Sequence, residues 1–382
     1  MHILVAPDKF KGSMSALAAA EAIARGWQRA RPQDRVTLAP IADGGEGFAE
    51  TLCGVLGGEW ITCDAADPLG RMVSARYAWM ADRELAVIEM SEASGLWRLQ
   101  PEERAPLTAT TFGTGQLLRD AAQRGARTIL IGLGGSATTD GGIGMAAALG
   151  FRLLTTDGEE LAPTPANLRA LDRIVRPDGL KLPEIIAASD VQNPLLGPRG
   201  TARVFAPQKG ADPAQVEMLE QTMGRLAEVV TGSLGCDFRA APGAGAAGGL
   251  GFGLMSFCGA RMRSGFEVVA EVLHLAEAVA ASDLVLSGEG RLDDQTLDGK
   301  GPAGVAALAR QHGKPVLAFG GSIAGGVALH GVFDATCAII DEPVTLEVAM
   351  QRGGEFLERA AQRAATLFQL GQSTPSSLSL SL

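Results

Sequence analysis

Apolar positions along the chain recur with two different periods. Residues 2–6 (HILVA) form a short apolar run that reads as a buried strand. After a polar loop, Leu17, Ala20, Ala24 and Trp27 follow one another at three- and four-residue spacing, the period of an amphipathic helix, with Ser13 or Ser15 as its N-cap. Val36 to Ile41 then supplies a second strand beyond Pro32, which completes a strand, helix, strand unit of the kind that builds parallel sheets. Between about residues 65 and 264 this regularity breaks up. Shorter candidate strands stand there at 85–89, 128–131, 151–154, 185–188 and 202–205, separated by Pro-marked loops at 163–165 and 194–198. Alternation returns with strands at 284–286, 315–319 and 335–340 and a helix over 302–311.

Two early and three late strands make five, the complement of a doubly wound parallel sheet of order 2-1-3-4-5. The expected fold is α/β with two domains. A discontinuous flavodoxin-like parallel-sheet domain takes residues 1–64 and 265–370, and an inserted mixed α/β domain takes 65–264. The last twelve residues, GQSTPSSLSLSL (371–382), have no aromatic side chain and read as a disordered tail.

Composition narrows the function classes. The 382 residues are 46% hydrophobic and 20% charged, as expected of a globular chain with a sizeable core. A formal net charge of −10 disfavours a polyanionic partner, so no nucleic acid is expected. The four histidines form no H-x-x-x-H pair and the five cysteines no C-x-x-C pair, which removes the usual zinc ligand sets and fits a reducing, cytoplasmic setting. No export signal is expected, because the first apolar run meets Asp8, Lys9 and Lys11 at once. No membrane span is expected either. Residues 240–260 are uncharged, but seven of the 21 are Gly and one is Pro, so they read as a glycine loop entering a buried helix. Whether the chain forms a homo-oligomer is left open.

Fifty glycines, about 13% of the chain against ~7% on average, point to functional loops. The strongest is TILIGLGGSATTDGG (128–142), a strand running into a glycine loop and then an Ala-rich helix, where backbone amides of Gly134, Gly135, Ser136 and Thr138 are placed to cradle an anion. The same stretch matches G-x-G-x-x-A at Gly132, Gly134 and Ala137, with Asp157 twenty residues further on, the pattern of a dinucleotide fold. Against that reading, Thr138 to Gly142 are poor helix formers, so a longer loop with Asp140 near the helix start is favoured. A second glycine loop (242–253) adds Gly245 and Gly248 and is followed by Arg261 and Arg263.

Charged residues cluster at strand ends, where open α/β sheets bind ligands. Only six lysines stand beside 27 arginines, yet Lys9 and Lys11 share the loop APDKFKGSMSA (6–16) and Lys209 lies in APQKG, positions that suit phosphate neutralisation. ADGGEG (42–47) and GEGRLDDQT (288–296) bring Asp43, Glu46, Glu289, Arg291, Asp293 and Asp294, a mixture able to hold Mg²⁺ through few carboxylates plus phosphate oxygens. Asp190 and Asn193, in SDVQNPL past the 185–188 strand, place a carboxylate where it can accept a hydroxyl proton or bind metal. For Asp43 and Asp190 alike, plain turn or capping chemistry explains the spacing about as well. Glycine loops, carboxylates and lysines at strand ends together suggest phosphoryl transfer from a nucleotide.

The ordered set APDKFKGSMSA, ADGGEG, GLGGSATTDGG, SDVQNPL, APQKGA, PGAGAAGGLGFG, GEGRLDDQTLDGK and KPVLAFGGS, spread over residues 1 to about 325, resembles the bacterial glycerate kinase family (glycerate 2-kinase, type 1). The resemblance implies ATP- and Mg²⁺-dependent phosphorylation of glycerate at its 2-hydroxyl, with glycerate and nucleotide as the small-molecule partners. From the pattern of the residues themselves, Asp190, Lys11 and Lys209 are the expected catalytic residues. Gly134, Gly135, Ser136, Thr138, Gly245 and Gly248 are expected at the nucleotide, Asp8, Asp43, Asn193 and Arg291 at the substrate, and Glu289 and Asp293 at Mg²⁺. Two alternatives remain on sequence grounds: an NAD-linked 2-hydroxyacid dehydrogenase using the 132–137 fingerprint, and a non-catalytic hydroxyacid-binding module.

Overall fold

The computed structural model describes residues 1–294, 296, 301–324 and 329–373. The strands, in chain order, are β1 (His2–Val5), β2 (Arg35–Leu38), β3 (Glu59–Ala66), β4 (Met72–Met80), β5 (Leu85–Glu89), β6 (Thr128–Gly132), β7 (Arg152–Leu154), β8 (Arg173–Val175), β9 (Glu184–Ala188), β10 (Arg261–Arg263), β11 (Leu284–Leu292), β12 (Val316–Ile323) and β13 (Ala335–Ala338). The chain divides into two compact units, Met1–Ala42 with Val269–Leu382, and Asp43–Val268. Residues 43–64 thus go with the inserted unit, because β3 pairs along its whole length with β4.

The first unit is a five-stranded sheet of order β13-β12-β11-β1-β2, every pair parallel, which is the 2-1-3-4-5 order read from the periodicity. The helix Ala16–Ala30 begins at Ser15, whose hydroxyl accepts the Ala18 N–H. Its buried face is Ala16, Ala19, Ala20, Ile23, Gly26 and Trp27, so the stripe is rotated from the expected Leu17 and Ala24, both of which stay half-buried. The reason lies in its neighbour. The helix Gly353–Ser373 packs so closely that a Cβ at Gly26 would overlap the Glu358 carbonyl. Helix therefore persists into the first residues of the expected disordered tail, and 374–382 lie outside the described residues.

The inserted unit is built on a six-stranded sheet of order β10-β9-β6-β5-β4-β3, parallel from β10 to β5 and antiparallel at β4 and β3. A separate ribbon pairs β7 with β8. The expected strand at 202–205 is instead part of the helix Thr201–Phe205, since Ala202 and Ala206, four residues apart, bury one face against Leu219. Residues 246–258 form a buried helix preceded by the glycine loop, with left-handed backbone at Ala247, Gly248 and Gly249. No helix among the described residues is long and apolar enough to cross a membrane. Each unit has its own core, Ile3, Val5, Ile23, Trp27, Leu286 and Phe356 in the first, and Ile88, Ile129, Ile131, Leu226 and Phe252 in the second.

Candidate active site

In the inserted unit, loops gather at the carboxyl ends of neighbouring parallel strands. Gly132 closes β6 opposite Ala188 of β9, and Ala188 in turn stands opposite Arg263 of β10. Past these ends the Gly134 N–H donates to the Gly44 carbonyl (3.3 Å), Leu133 N–H to Ala188 (3.2 Å) and Ser189 N–H to Arg263 (2.9 Å). Glycine is required where they meet, because a Cβ at Gly44 would overlap the Ala188 carbonyl and one at Gly265 the Asp43 carbonyl. Asp190 stands two residues past β9, its Oδ1 accepting the Ser264 hydroxyl (2.8 Å) and the Gly265 N–H (3.3 Å). Asp43 closes a turn by accepting the Gly45 N–H (3.0 Å), the local bonding that aspartate supplies in turns. Asn193 is tied within its own loop through the Arg199 carbonyl (2.7 Å).

Sequence reasoning passed over Glu89. It ends β5 opposite Gly132, and its Oε1 accepts the Ala49 N–H (2.9 Å) in the first turn of the helix Phe48–Leu56. The only signal available was a carboxylate on the last residue of a recognisable strand.

The 133–142 loop has an outward half and a buried half. Gly134, Gly135 and Ser136 reach the surface, whereas Ala137 to Gly142 are buried. The helix behind it, Ile143–Ala148, already has a carboxyl group at its start. The fully buried Asp140 accepts N–H donors from Thr111 (2.7 Å), Gly142 (3.1 Å) and Gly144 (3.2 Å), and the Thr111 hydroxyl (2.8 Å). Burial raises its pKa above the usual aspartate value, and those hydrogen bonds only partly offset the rise.

Lys209, 2% exposed, lies beneath the same loop and donates to the Ser136 hydroxyl oxygen (2.7 Å) and the Thr138 carbonyl (2.6 Å). Burial pushes its ammonium down to about 7, with Asp140 pulling partly the other way. Lys209 is thus buried and braces the loop from its inner side. Thr138, Gly245 and Gly248, expected at the anion, are likewise interior: a Cβ at Gly248 would overlap the Thr138 carbonyl and one at Gly245 the Pro194 carbonyl, so the two glycine loops lock against each other.

The dinucleotide fingerprint does not survive in three dimensions. Its helix starts only at Ile143, six residues past Ala137, and Asp157 sits in the turn after β7, a strand of the separate antiparallel ribbon. A dinucleotide fold needs that acid at the end of the next strand of the parallel sheet.

In the five-stranded unit, β1 has β2 on one side and β11 on the other, which makes the β1–β11 edge the topological switch point where such sheets take ligands. The loop after β1 is tied there, since the Asp8 N–H donates to the Gly288 carbonyl (2.8 Å). Lys11 is exposed on that loop, and Lys9 is half-buried. β11 extends six residues past the expected 284–286, paired with β12 as far as Ile323, so Glu289 and Arg291 lie in the strand itself. Thr296 links the two expected metal ligands, its hydroxyl donating to Glu289 Oε1 (2.7 Å) and accepting the Asp293 N–H (3.1 Å). Arg291, expected at the substrate, pairs with Asp293 at 2.8 Å. Gln295 and Leu297 to Lys300 of this motif lie outside the described residues.

Among the described residues no group of three or more His, Cys, Asp or Glu side chains is arranged to hold a metal. Glu289 in β11 and Asp293 just past its end, joined through Thr296, are nevertheless of a kind that suits Mg²⁺, which is usually held by one or two carboxylates and completes its shell with water and phosphate oxygens.

Fold and loops together define an α/β protein whose candidate site residues stand largely at the carboxyl ends of parallel strands. The model of the glycerate kinase family matches residues 3–369. The glycerate kinase of Halalkalibacterium halodurans is 44% identical over 379 residues, 97% of this chain and 99% of that protein. The glycerate 2-kinase of Escherichia coli is 40% identical over 382 residues, again 97% of this chain and 99% of that one. A crystal structure of a glycerate kinase 2 from Salmonella typhimurium LT2 matches with a TM-score of 0.89 at 40% identity, covering 98% of this chain and 100% of that one. The chain belongs to the glycerate kinase family, a family of phosphate-transferring enzymes.

Proposed function

We propose that this enzyme transfers the γ-phosphoryl group of ATP to the 2-hydroxyl of glycerate, giving 2-phosphoglycerate and ADP. The observation that carries the reading is the family match over residues 3–369, strengthened by a 2-kinase relative aligned over nearly its full length. The hydroxyl oxygen bonds to the γ-phosphorus while the bond from that phosphorus to the ADP oxygen breaks, and the hydroxyl proton passes to Asp190. Catalysis of this kind is mostly positioning and charge neutralisation.

Asp190 suits the base because its Oδ1 is held by Ser264 and Gly265, which fixes the carboxylate in place. Gly134, Gly135 and Ser136 are the surface part of the glycine loop and form the phosphate-facing segment, with Lys209 positioning it from below. In the five-stranded unit, Lys11 supplies a cation for phosphate or the glycerate carboxylate, with Asp8 and Arg291 beside it at the switch point. In the inserted unit, Asp43 and Asn193 are the residues proposed to meet the substrate. Glu289 and Asp293 would hold Mg²⁺, which when bound neutralises charge on phosphoryl oxygens. Five cysteines without a disulfide support a reducing compartment, the cytoplasm.

The test is ADP release with ATP, Mg²⁺ and each glycerate enantiomer, using wild type and Asp190→Asn. Wild type should turn over only with both substrates present, and the variant should lose about 10²–10⁴-fold in kcat. No ADP from folded wild type with either enantiomer would overturn the proposal, and a variant within about tenfold of wild type would remove Asp190 as the base.

A further inference from the structure

The glycine loop has a neighbour that none of the roles above uses. Gly95 pairs with Ser136 across an antiparallel bridge, and the Leu96 N–H donates to the Gly135 carbonyl (2.8 Å), so residues 95–97 run directly beside the surface part of the loop. The next side chain, Trp97, is 65% exposed, while Trp27 and Trp79 are buried.

This indole is held rather than loose. Its N–H donates to the Ser91 carbonyl (3.0 Å), and its Cδ1–Nε1 edge packs over Gly95, where a Cβ would meet both atoms at 2.8 Å. The Arg98 guanidinium stacks on the ring 4.4 Å from a ring centroid. The Arg98 side chain is itself only 10% exposed, anchored through its Nε to the Glu92 carbonyl and through Nη2 to the Ser74 carbonyl (2.9 Å). The ring therefore lies against a largely covered cation, yet most of the residue's surface stays open.

We propose that the outer face of Trp97 is the stacking platform for the purine base of the nucleotide whose phosphates approach Gly135 and Ser136. The inference rests on the reading of ATP as phosphoryl donor and adds the residue that recognises its base. Aromatic faces bind bases because every base presents a π-surface, and a guanidinium stacked on the far side completes a layered arrangement of cation, indole and base. Glycerate, which has neither ring nor extended apolar surface, has no use for such a platform. An exposed tryptophan held by its N–H, its edge and its inner face is also preorganised, so little freedom is lost when a base settles on it.

The experiment compares wild type, Trp97→Ala and Trp97→Phe, each checked for an unchanged melting temperature. It reads kcat and KM for ATP, the Kd for ADP, and inhibition by inorganic tripolyphosphate, which has phosphates and no base. The expected result for Trp97→Ala is a roughly 5- to 100-fold rise in KM for ATP and in Kd for ADP, with kcat within about twofold and tripolyphosphate inhibition unchanged. Trp97→Phe, which keeps an aromatic face, should recover most of the loss. If Trp97→Ala binds ADP as wild type does, the platform is overturned while the phosphoryl-transfer reading stands. If tripolyphosphate inhibition falls in step with ADP affinity, the residue supports the loop and does not read the base, which also overturns it. A wild-type enzyme that fails to bind ADP at all removes the ATP reading, and the platform with it.

Discussion

Lys209 shows how burial changes the job of a residue that spacing alone marks as a phosphate ligand. In the sequence it is one of six lysines, in a loop with Pro and Gly on either side. In the structure its ammonium has Ser136 and Thr138 as partners and almost no contact with solvent. With Lys209 as donor, the Ser136 hydroxyl oxygen accepts and its own proton is left to point elsewhere. The pH consequence has a definite sign. Its folded value of about 7 lies below the ordinary 10.5, so above pH 7 the unfolded chain binds more protons at this site than the folded one, and stability from this group rises with pH. Urea unfolding at pH 7.0 and 8.5 should therefore show wild type gaining stability relative to Lys209→Met over that interval. Parallel pH curves for the two proteins would show that the lysine is not titrating there.

At the scale of elements, the two glycine loops are legible in the sequence as loops but not as partners. What decides their role is a close approach of one backbone to another, which leaves no trace in hydrophobic periodicity. Gly248 has φ +70° and stands against the Thr138 carbonyl, whereas Gly179 has nearly the same angle, φ +69°, and nothing within 4 Å. Replacing Gly179 by Ala should cost only the left-handed backbone penalty, about 1 kcal/mol. Gly248→Ala adds a steric overlap with a buried carbonyl and should cost at least ~3 kcal/mol, read as a fall in the urea midpoint. Equal costs would mean that the loops part readily. Elsewhere the pattern was informative to different degrees. The apolar strands β1, β5, β6 and β9 announce themselves, while β3 and β4 carry Asp64, Thr62 and Arg76 on their outer face and little continuous apolar sequence. The 202–205 segment misled because Val204 and Phe205 favour strands, and tertiary burial of Ala202 and Ala206 outweighed them.

For the whole molecule, the 2-1-3-4-5 order could be read from five apolar strands because a parallel sheet buries both faces and so writes near-continuous apolar runs. The insertion was visible as a break in that rhythm. The division after Ala42 was less so, since α/β sequence continues without a change of composition from β2 into the helix Phe48–Leu56. The placement of charged residues just past apolar strands was legible, as at Asp8, Asp190 and the β11 motif. Which side of a loop faces solvent was not legible, as at Thr138, Gly245, Lys209 and Trp97. The central claim is a chemical one, that the chain phosphorylates glycerate at its 2-hydroxyl using ATP. Phosphorus NMR of a reaction containing the enzyme, MgATP and D-glycerate tests it most directly, because it resolves the donor, the nucleotide product and the position of the new ester in one spectrum. The account predicts loss of the ATP signals with matched growth of ADP and 2-phosphoglycerate. Growth of 3-phosphoglycerate instead would contradict the assigned position, and an unchanged ATP spectrum from folded enzyme would contradict the activity itself.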